Sequence, residues 1–306
     1  MPYIHLDKKL KITIYSVSLV LAILPFMLIP LYINEIISSI RVIGFGIILV
    51  TSLKFNTIIS LSLILGMLPY ATIDFLNRRY VDAIDRDLGP FFKGLGESIR
   101  AGMTFIEALE NISKVIYGPL SSELKKIIVR VELGSTLQDA LEDFAKKIRL
   151  PNIQRAVVIL ITAHESGGKI VDVLDAAAEM YNMMRVYEEE KRTIINPYAL
   201  TIYIAIFIYL FISFILIYVF FIPLRYMAAK GAIFASLSLD VSSYKTILLY
   251  SSILEALIGG LIVGKLKTGK TFSGLIHSII MLGIVIIFYN IMDILGSMIQ
   301  ILPPGL

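Results

Sequence analysis

The 306 residues contain no cysteine and no tryptophan, and only three histidines. The first absence excludes thiol catalysis, disulfides and thiolate metal sites, and leaves the redox compartment undetermined. His5, His164 and His277 are too scattered to build a histidine metal centre, so neither a metal nor another cofactor is expected. Charge is also scarce, at 17% of residues against about a quarter in ordinary soluble domains. The net charge of +4 is small and gives no reason to expect a nucleic-acid partner. Apolar residues fill the space instead, at 57% of the chain with a strongly positive mean hydropathy. That balance describes a polytopic membrane protein with a modest soluble part.

Four apolar stretches are long enough to cross a bilayer, at about 12–33, 56–76, 195–222 and 272–292, and a fifth at about 246–264 carries Glu255. The first begins after the basic start MPYIHLDKKLK and would pass for a signal peptide by charge. Its run of about 22 apolar residues, with no small-residue cleavage site after it, favours a retained span. Residues 34–56 are apolar at the centre but hold Arg41 and Lys54, which leaves a sixth span, a re-entrant piece or an interfacial helix open. The basic clusters decide the count. Lys8, Lys9 and Lys11 precede span one, Arg78 and Arg79 follow span two, and Lys265, Lys267 and Lys270 join the last two spans. Five spans place all three clusters on the cytoplasmic side, as the excess of positive charge there requires, whereas a sixth in 34–56 would not.

Between residues 77 and 193 the composition changes, because 17 of the 28 basic and 18 of the 24 acidic residues lie there. Three regions follow: a membrane region 1–76, a cytoplasmic domain 77–193 and a second membrane region 194–306. The domain carries an internal repeat. Gly102-Met-Thr-Phe-Ile-Glu-Ala-Leu returns 32 residues later as Gly134-Ser-Thr-Leu-Gln-Asp-Ala-Leu, and more faintly after another 33 from Gly167. In each unit a glycine ends one helix, where positive φ is often needed. Thr104 or Thr136 caps the next, and Glu107 or Asp139 three positions on can answer the cap. Lys169 replaces the threonine in the third copy. Pro90, Pro119 and Pro151 stand where further helices would start. The expected domain has six helices in three hairpins, sharing a core that includes Ile99, Phe105, Leu109, Ile128, Val131, Leu137, Leu141, Val157 and Leu160. Its last helix, from about 168, runs on towards span three, with Asn196-Pro197 allowing a bend. His164-Glu165-Ser166-Gly167-Gly168 reads either as a plain turn or as a contact surface.

The combination of Arg100-Ala-Gly102 with Thr104 and Ala108-Leu109, Gly134-Ser-Thr136 with Ala140-Leu141, and Glu165-Ser-Gly167 with Leu174 resembles the type II secretion F domain. That domain marks inner-membrane platform proteins of type II secretion, type IV pili, tight-adherence pili and archaeal pili or archaella. The tail around Glu255–Gly260, Gly264–Gly269 and Gly274–His277 is similar to archaeal members. The usual secretion platforms carry two such domains; one is found here, as in the shorter types that work in pairs. The resemblance implies a non-enzymatic platform in the cell membrane, a homo-oligomer or a partner of a related platform subunit. It would couple a cytoplasmic hexameric assembly ATPase to the extraction and polymerisation of pilin-like subunits. The helix 168–193 would be the lever, and Lys265, Lys267, Lys270, Glu165 and Gly167 the candidate ATPase contacts. The alternative is a membrane subunit of a transporter driven by a separate ATPase, for which inverted repeats and several intramembrane charges would be the signs.

Two further features invite chemistry. Glu255 and His277 fall about one helical turn apart in depth, a candidate intramembrane polar pair, and Ala256, Gly260 and Gly264 form a small-residue face for close helix approach. The pair reads as glue within a hairpin, or as a contact for the pilin N-terminus or a proton-linked switch. Gly264-Lys-Leu-Lys-Thr-Gly-Lys-Thr271 fits the phosphate-loop pattern at every position. A working phosphate loop needs a strand before it, an α/β domain around it and an acidic metal partner. Here an apolar span precedes it, another span follows, and Asp293 would lie across the bilayer. The lysines are therefore read as a basic turn that fixes topology and meets an acidic surface.

Overall fold

The computed structural model describes residues 4, 8–43, 47–148, 150–229 and 240–300. The chain divides into two units: a helical unit of Phe75–Thr193 with Met1–Asp7, and a membrane unit of Lys8–Asp74 with Ile194–Leu306. The described residues of both are mainly α-helical.

In chain order, α1 (Lys8–Ile23) runs into a 3-10 segment, Leu24–Tyr32, and then α2 (Ile33–Ser38). Pro25 and Pro30 fall inside that segment, where each removes a backbone donor that an α-helix would use. β1 (Ile40–Ile43) and β2 (Ile47–Val50) form an antiparallel hairpin, with Arg41 opposite Leu49 and Val42 opposite Ile48. Within residues 34–56 the described residues form the end of α2, the two paired strands and the start of α3, and no membrane-length helix of their own. β-branched residues fill these strands, Ile40, Val42, Ile43, Ile47, Ile48 and Val50, and they pack better on a pleated surface than in a helix.

α3 (Leu53–Arg100) is followed by α4 (Phe105–Val115), α5 (Pro119–Glu132), α6 (Leu137–Ile148) and α7 (Pro151–Glu165). α8 (Ile170–Phe214) continues through a π-helical turn, Ile215–Phe221, into α9 (Ile222–Ala229). α10 (Val241–Thr268) and α11 (Leu275–Gln300) close the chain, joined by the 3-10 turn Thr271–Gly274. Five helical stretches are long and apolar enough to cross a membrane: Lys9–Ser38, Leu53–Arg100, Gly167–Arg225, Val241–Thr268 and Thr271–Met292. α3 has 48 residues and α8 has 45. At about 1.5 Å per residue each is more than twice as long as the roughly 30 Å hydrocarbon layer.

The helical unit takes six helical pieces, the end of α3, α4 to α7 and the start of α8. Its core shows the 3.6-residue period directly, as Ile84, Leu88, Phe91, Phe92 and Leu95 on α3 meet Leu137, Leu141 and Phe144 of α6 and Ile153, Val157 and Leu160 of α7. Ile99 and Val131 pack on its edge. Pro119 and Pro151 each occupy the first turn of a helix. Pro90 does not start one: it lies inside α3, exposed, beside buried Leu88, Phe91 and Phe92. Burial of those neighbours outweighs the single lost backbone hydrogen bond. Pro197 likewise sits within an unbroken α8.

Gly102 and Gly134 hold φ of 95° and 97°, conformations that L side chains resist. Thr104 then makes a complete capping box. Its Oγ1 accepts from the Glu107 N–H (3.4 Å), and Glu107 Oε2 accepts from the Thr104 N–H (2.9 Å). At the second copy the Asp139 N–H donates to Thr136 Oγ1 (3.1 Å), and that hydroxyl donates to Asp139 Oδ2 (2.6 Å) instead of freeing the acid to reach backbone. Aspartate is one methylene too short. Thr104→Ala is expected to lower stability by about 1 kcal/mol, read as an earlier thermal melt in circular dichroism of the full chain.

The membrane unit has its own core, in which Ile206 and Leu210 of α8 meet Leu249, Ile253 and Val263 of α10 and Met281, Val285 and Tyr289 of α11. α10 and α11 approach most closely at glycines. Cβ atoms placed on Gly260 or Gly264 would collide with the backbone of Ser278 or of Ser273-Gly274. Ala256, on the same face one turn earlier, is fully buried.

Candidate functional site

The phosphate-loop pattern lies in the hairpin between α10 and α11. Gly264 to Thr268 are the last turn of α10, and Gly269 ends it in the left-handed conformation (φ 74°), its N–H donating to the Lys265 carbonyl at 2.8 Å. Thr268 Oγ1 donates to the Gly264 carbonyl at 2.8 Å. A helix C-terminus presents carbonyl oxygens and the negative end of its dipole, the wrong polarity for a phosphate. Lys265 and Lys267 oppose that dipole from the last turn of α10. Lys265, Lys267 and Lys270 are all exposed and form a cationic turn.

In the helical unit, Glu165 ends α7 and Gly167 opens the 3-10 turn Gly167–Lys169 with φ 55°. Glu165, Gly167, Gly168 and Lys169 are exposed, and an added Cβ at either glycine meets nothing within 4 Å. The tract is open surface. The exposed His164 ring has its centroid 5.0 Å from that of Phe105. Arg100 binds Asp175 at 2.6 Å, tying the end of α3 to α8.

Inside the membrane unit, Nδ1 of His277 lies 2.7 Å from the Tyr203 hydroxyl, which ties the histidine to α8. Tyr203 is 74 residues away in sequence, a separation that spacing along the α10–α11 hairpin could not anticipate. Glu255 is half-buried on α10. Ser278 Oγ donates to the Leu257 carbonyl at 2.9 Å, adding a hydrogen bond across the glycine contact. Among the described residues no three or more His, Cys, Asp or Glu side chains group as a metal site. His5 lies outside the described residues, as does the side chain of Asp293.

Sequence spacing also gives no sign of the buried acids. Glu123 is enclosed between Lys126 (2.6 Å) and Lys147 (3.2 Å), and burial, with the Glu123 charge adding to it, pushes the nearby Tyr80 phenol up to about 12. Asp85 keeps Oδ1 buried without a hydrogen-bond partner. Burial holds its carboxyl above the ordinary carboxylate range; a hydrogen bond from Asn152 opposes this, and the charges of Asp82 and Glu188 add to it. Such a group binds its proton more tightly folded than unfolded. Its stabilising contribution is complete below the unfolded value near 3.9 and is lost as pH rises through the raised folded value. Asp85→Asn is therefore expected to raise the melting temperature at pH 7 by a few degrees, with the advantage shrinking towards pH 4. Thermal melts of both proteins across that range provide the check.

These features define an α-helical multi-pass membrane protein carrying a six-helix unit on helices that continue into its spans. Residues 91–218 match the family model described as Type II secretion system (T2SS), protein F. The chain is also similar to an uncharacterized protein of Methanocaldococcus jannaschii, 25% identical over 194 residues, which are 63% of this chain and 31% of that protein. The chain thus matches about a third of the length of that curated relative. No solved structure matches.

Proposed function

We propose that the chain is an inner-membrane platform protein of a type IV pilus-like filament or secretion machine. In this reading the N-terminus and helical unit are cytoplasmic, and a hexameric assembly ATPase docks there and moves the platform. That movement lifts pilin-like subunits out of the bilayer into a growing filament. The observation that carries the reading is the protein F match at residues 91–218, a stretch whose last helix is also a membrane span. An unbroken α8 supports its role as the lever, since a flexible linker there would dissipate force. The exposed Lys265, Lys267 and Lys270, and the open tract at Glu165 and Gly167, are the proposed ATPase contacts. Glu255, in this reading, faces the N-terminal helix of a pilin-like subunit.

Changing Lys265, Lys267 and Lys270 together to Glu tests the docking role. Full-length protein in lipid nanodiscs is expected to lose at least tenfold in affinity for the assembly ATPase of the same cell, while its circular dichroism stays unchanged. Unchanged binding by a correctly inserted variant would remove the basic turn from the ATPase interface.

A further inference from the structure

The hairpin β1–β2 belongs to neither core, yet its orientation is fixed. Leu49, on one face, is only 7% exposed. The Val50 carbonyl accepts from Asn56 Nδ2 at 3.1 Å, and Thr51 bonds the Ser39 carbonyl through both its N–H (3.0 Å) and its Oγ1 (2.9 Å). Tyr250 of α10 donates to Asn56 Oδ1 at 3.0 Å, which ties the base of the hairpin to a span. Lys54 binds Glu35 at 2.7 Å and lies 4.7 Å over the Tyr32 ring, clamping the segments on either side.

The opposite face is apolar and uncovered. Ile40, Val42 and Ile48 alternate onto it and are 44%, 70% and 67% exposed. Water does not explain three such neighbours on a hairpin braced so firmly. Position along the chain identifies what covers them. α2 ends at Ser38, directly after the first membrane-crossing stretch, and α3 begins the second at Leu53. Met27, Leu31 and Ile37, in the membrane-length stretch just before the hairpin, are also exposed. Depth is limited from the other side, because a two-stranded hairpin leaves its outer backbone groups unpaired, and the hydrocarbon core does not tolerate that. Arg41, paired with Leu49 and so on the face away from Ile40, Val42 and Ile48, is exposed, and its long side chain points from the apolar face towards the headgroup side, where a guanidinium can reach phosphate oxygens.

We propose that this hairpin is a lipid anchor, with Ile40, Val42 and Ile48 seated at the boundary between headgroups and acyl chains and Arg41 reaching anionic headgroups. It would hold the ends of spans one and two at a fixed depth while the rest of the membrane unit moves, and it stands whether or not the platform reading does.

The absence of cysteine makes the test direct. Val42→Cys and Ile48→Cys, each labelled with an environment-sensitive fluorophore, are reconstituted as full-length protein in vesicles containing phosphatidylglycerol, with Lys267→Cys as the aqueous reference. Both hairpin labels are expected to emit blue-shifted and to be quenched several-fold more by lipids spin-labelled near the headgroup than by lipids labelled near the chain end. They should be shielded from iodide, unlike the label at position 267. Water-like emission with full iodide quenching would overturn the proposal, as would stronger quenching from the chain end. Shielding from iodide with no quenching by either lipid would also overturn it, in favour of protein contact. Circular dichroism verifies that each variant folds, and the second site serves if one fails.

Discussion

Gly264→Leu is expected to leave no folded α10–α11 hairpin, and to leave little monodisperse protein after detergent extraction. The reason is geometric. A Cβ at this position would stand 2.6 Å from the Ser273 carbonyl carbon and closer still to the backbone of Gly274, with no flexible side chain able to yield. Gly274 faces the reciprocal constraint, its own Cβ falling 2.6 Å from the Leu261 Cα. Overpacking an ordinary core costs about 1–3 kcal/mol, and forcing two backbones apart exceeds that because every contact along the pair is lost with it. Helices in lipid rely on such close packing, since no hydrophobic force drives them together. The control is Gly283→Ala on α11, where an added Cβ meets nothing within 4 Å and the fold is expected to persist. Size-exclusion profiles of the two variants give the comparison. A Gly264→Leu protein that eluted and melted like the parent would contradict the packing described here.

Phe92→Ala is expected to cost the helical unit about 3–5 kcal/mol. Phe92 is fully buried, stacks on Tyr181 with ring centroids 5.3 Å apart and 9° between planes, and meets Phe91 edge-on at 5.1 Å. A domain holds only about 5–15 kcal/mol in total, so limited proteolysis of the full chain should cut Phe92→Ala within the 77–193 region under conditions that spare the parent. Tyr181→Phe keeps the stacked ring and loses only the hydroxyl's bond to the Asn152 carbonyl (2.8 Å). Its cost should be about 0.5–1.5 kcal/mol. Equal sensitivity of the two variants would mean that the hydroxyl, not the ring stack, holds α3 and α8 together.

Composition and periodicity are enough to read five spans and a helical domain, because both depend on local runs of residues that tolerate no other solution. Positions such as Leu109, Leu141 and Leu160 are legible for the same reason, since helical spacing puts them on one face. Prolines are less legible. Pro119 begins a helix and Pro90 interrupts nothing, and the difference lies in the buried neighbours of Pro90, which only packing reveals. Residues 34–56 are opaque because a short apolar run with β-branched residues suits a strand or a membrane segment equally well. Nothing local predicts that Tyr203 would reach His277, or that Asp85 and Glu123 would be enclosed, because those neighbours come from distant helices. The Gly264–Thr271 pattern shows the reverse risk: a complete motif whose first glycine serves helix packing and whose second ends a helix.

The central claim, that this chain is the platform through which an ATPase builds a filament, is tested most directly in a cell lacking the gene. Surface filaments and the distribution of pilin-like subunits would be measured in that strain and in one complemented with the intact chain. ATPase and mature subunits are expected still to be made, the subunits to remain in the membrane fraction, and filaments to disappear until the chain is restored. Filaments of normal number and length in the deletion strain would contradict that claim.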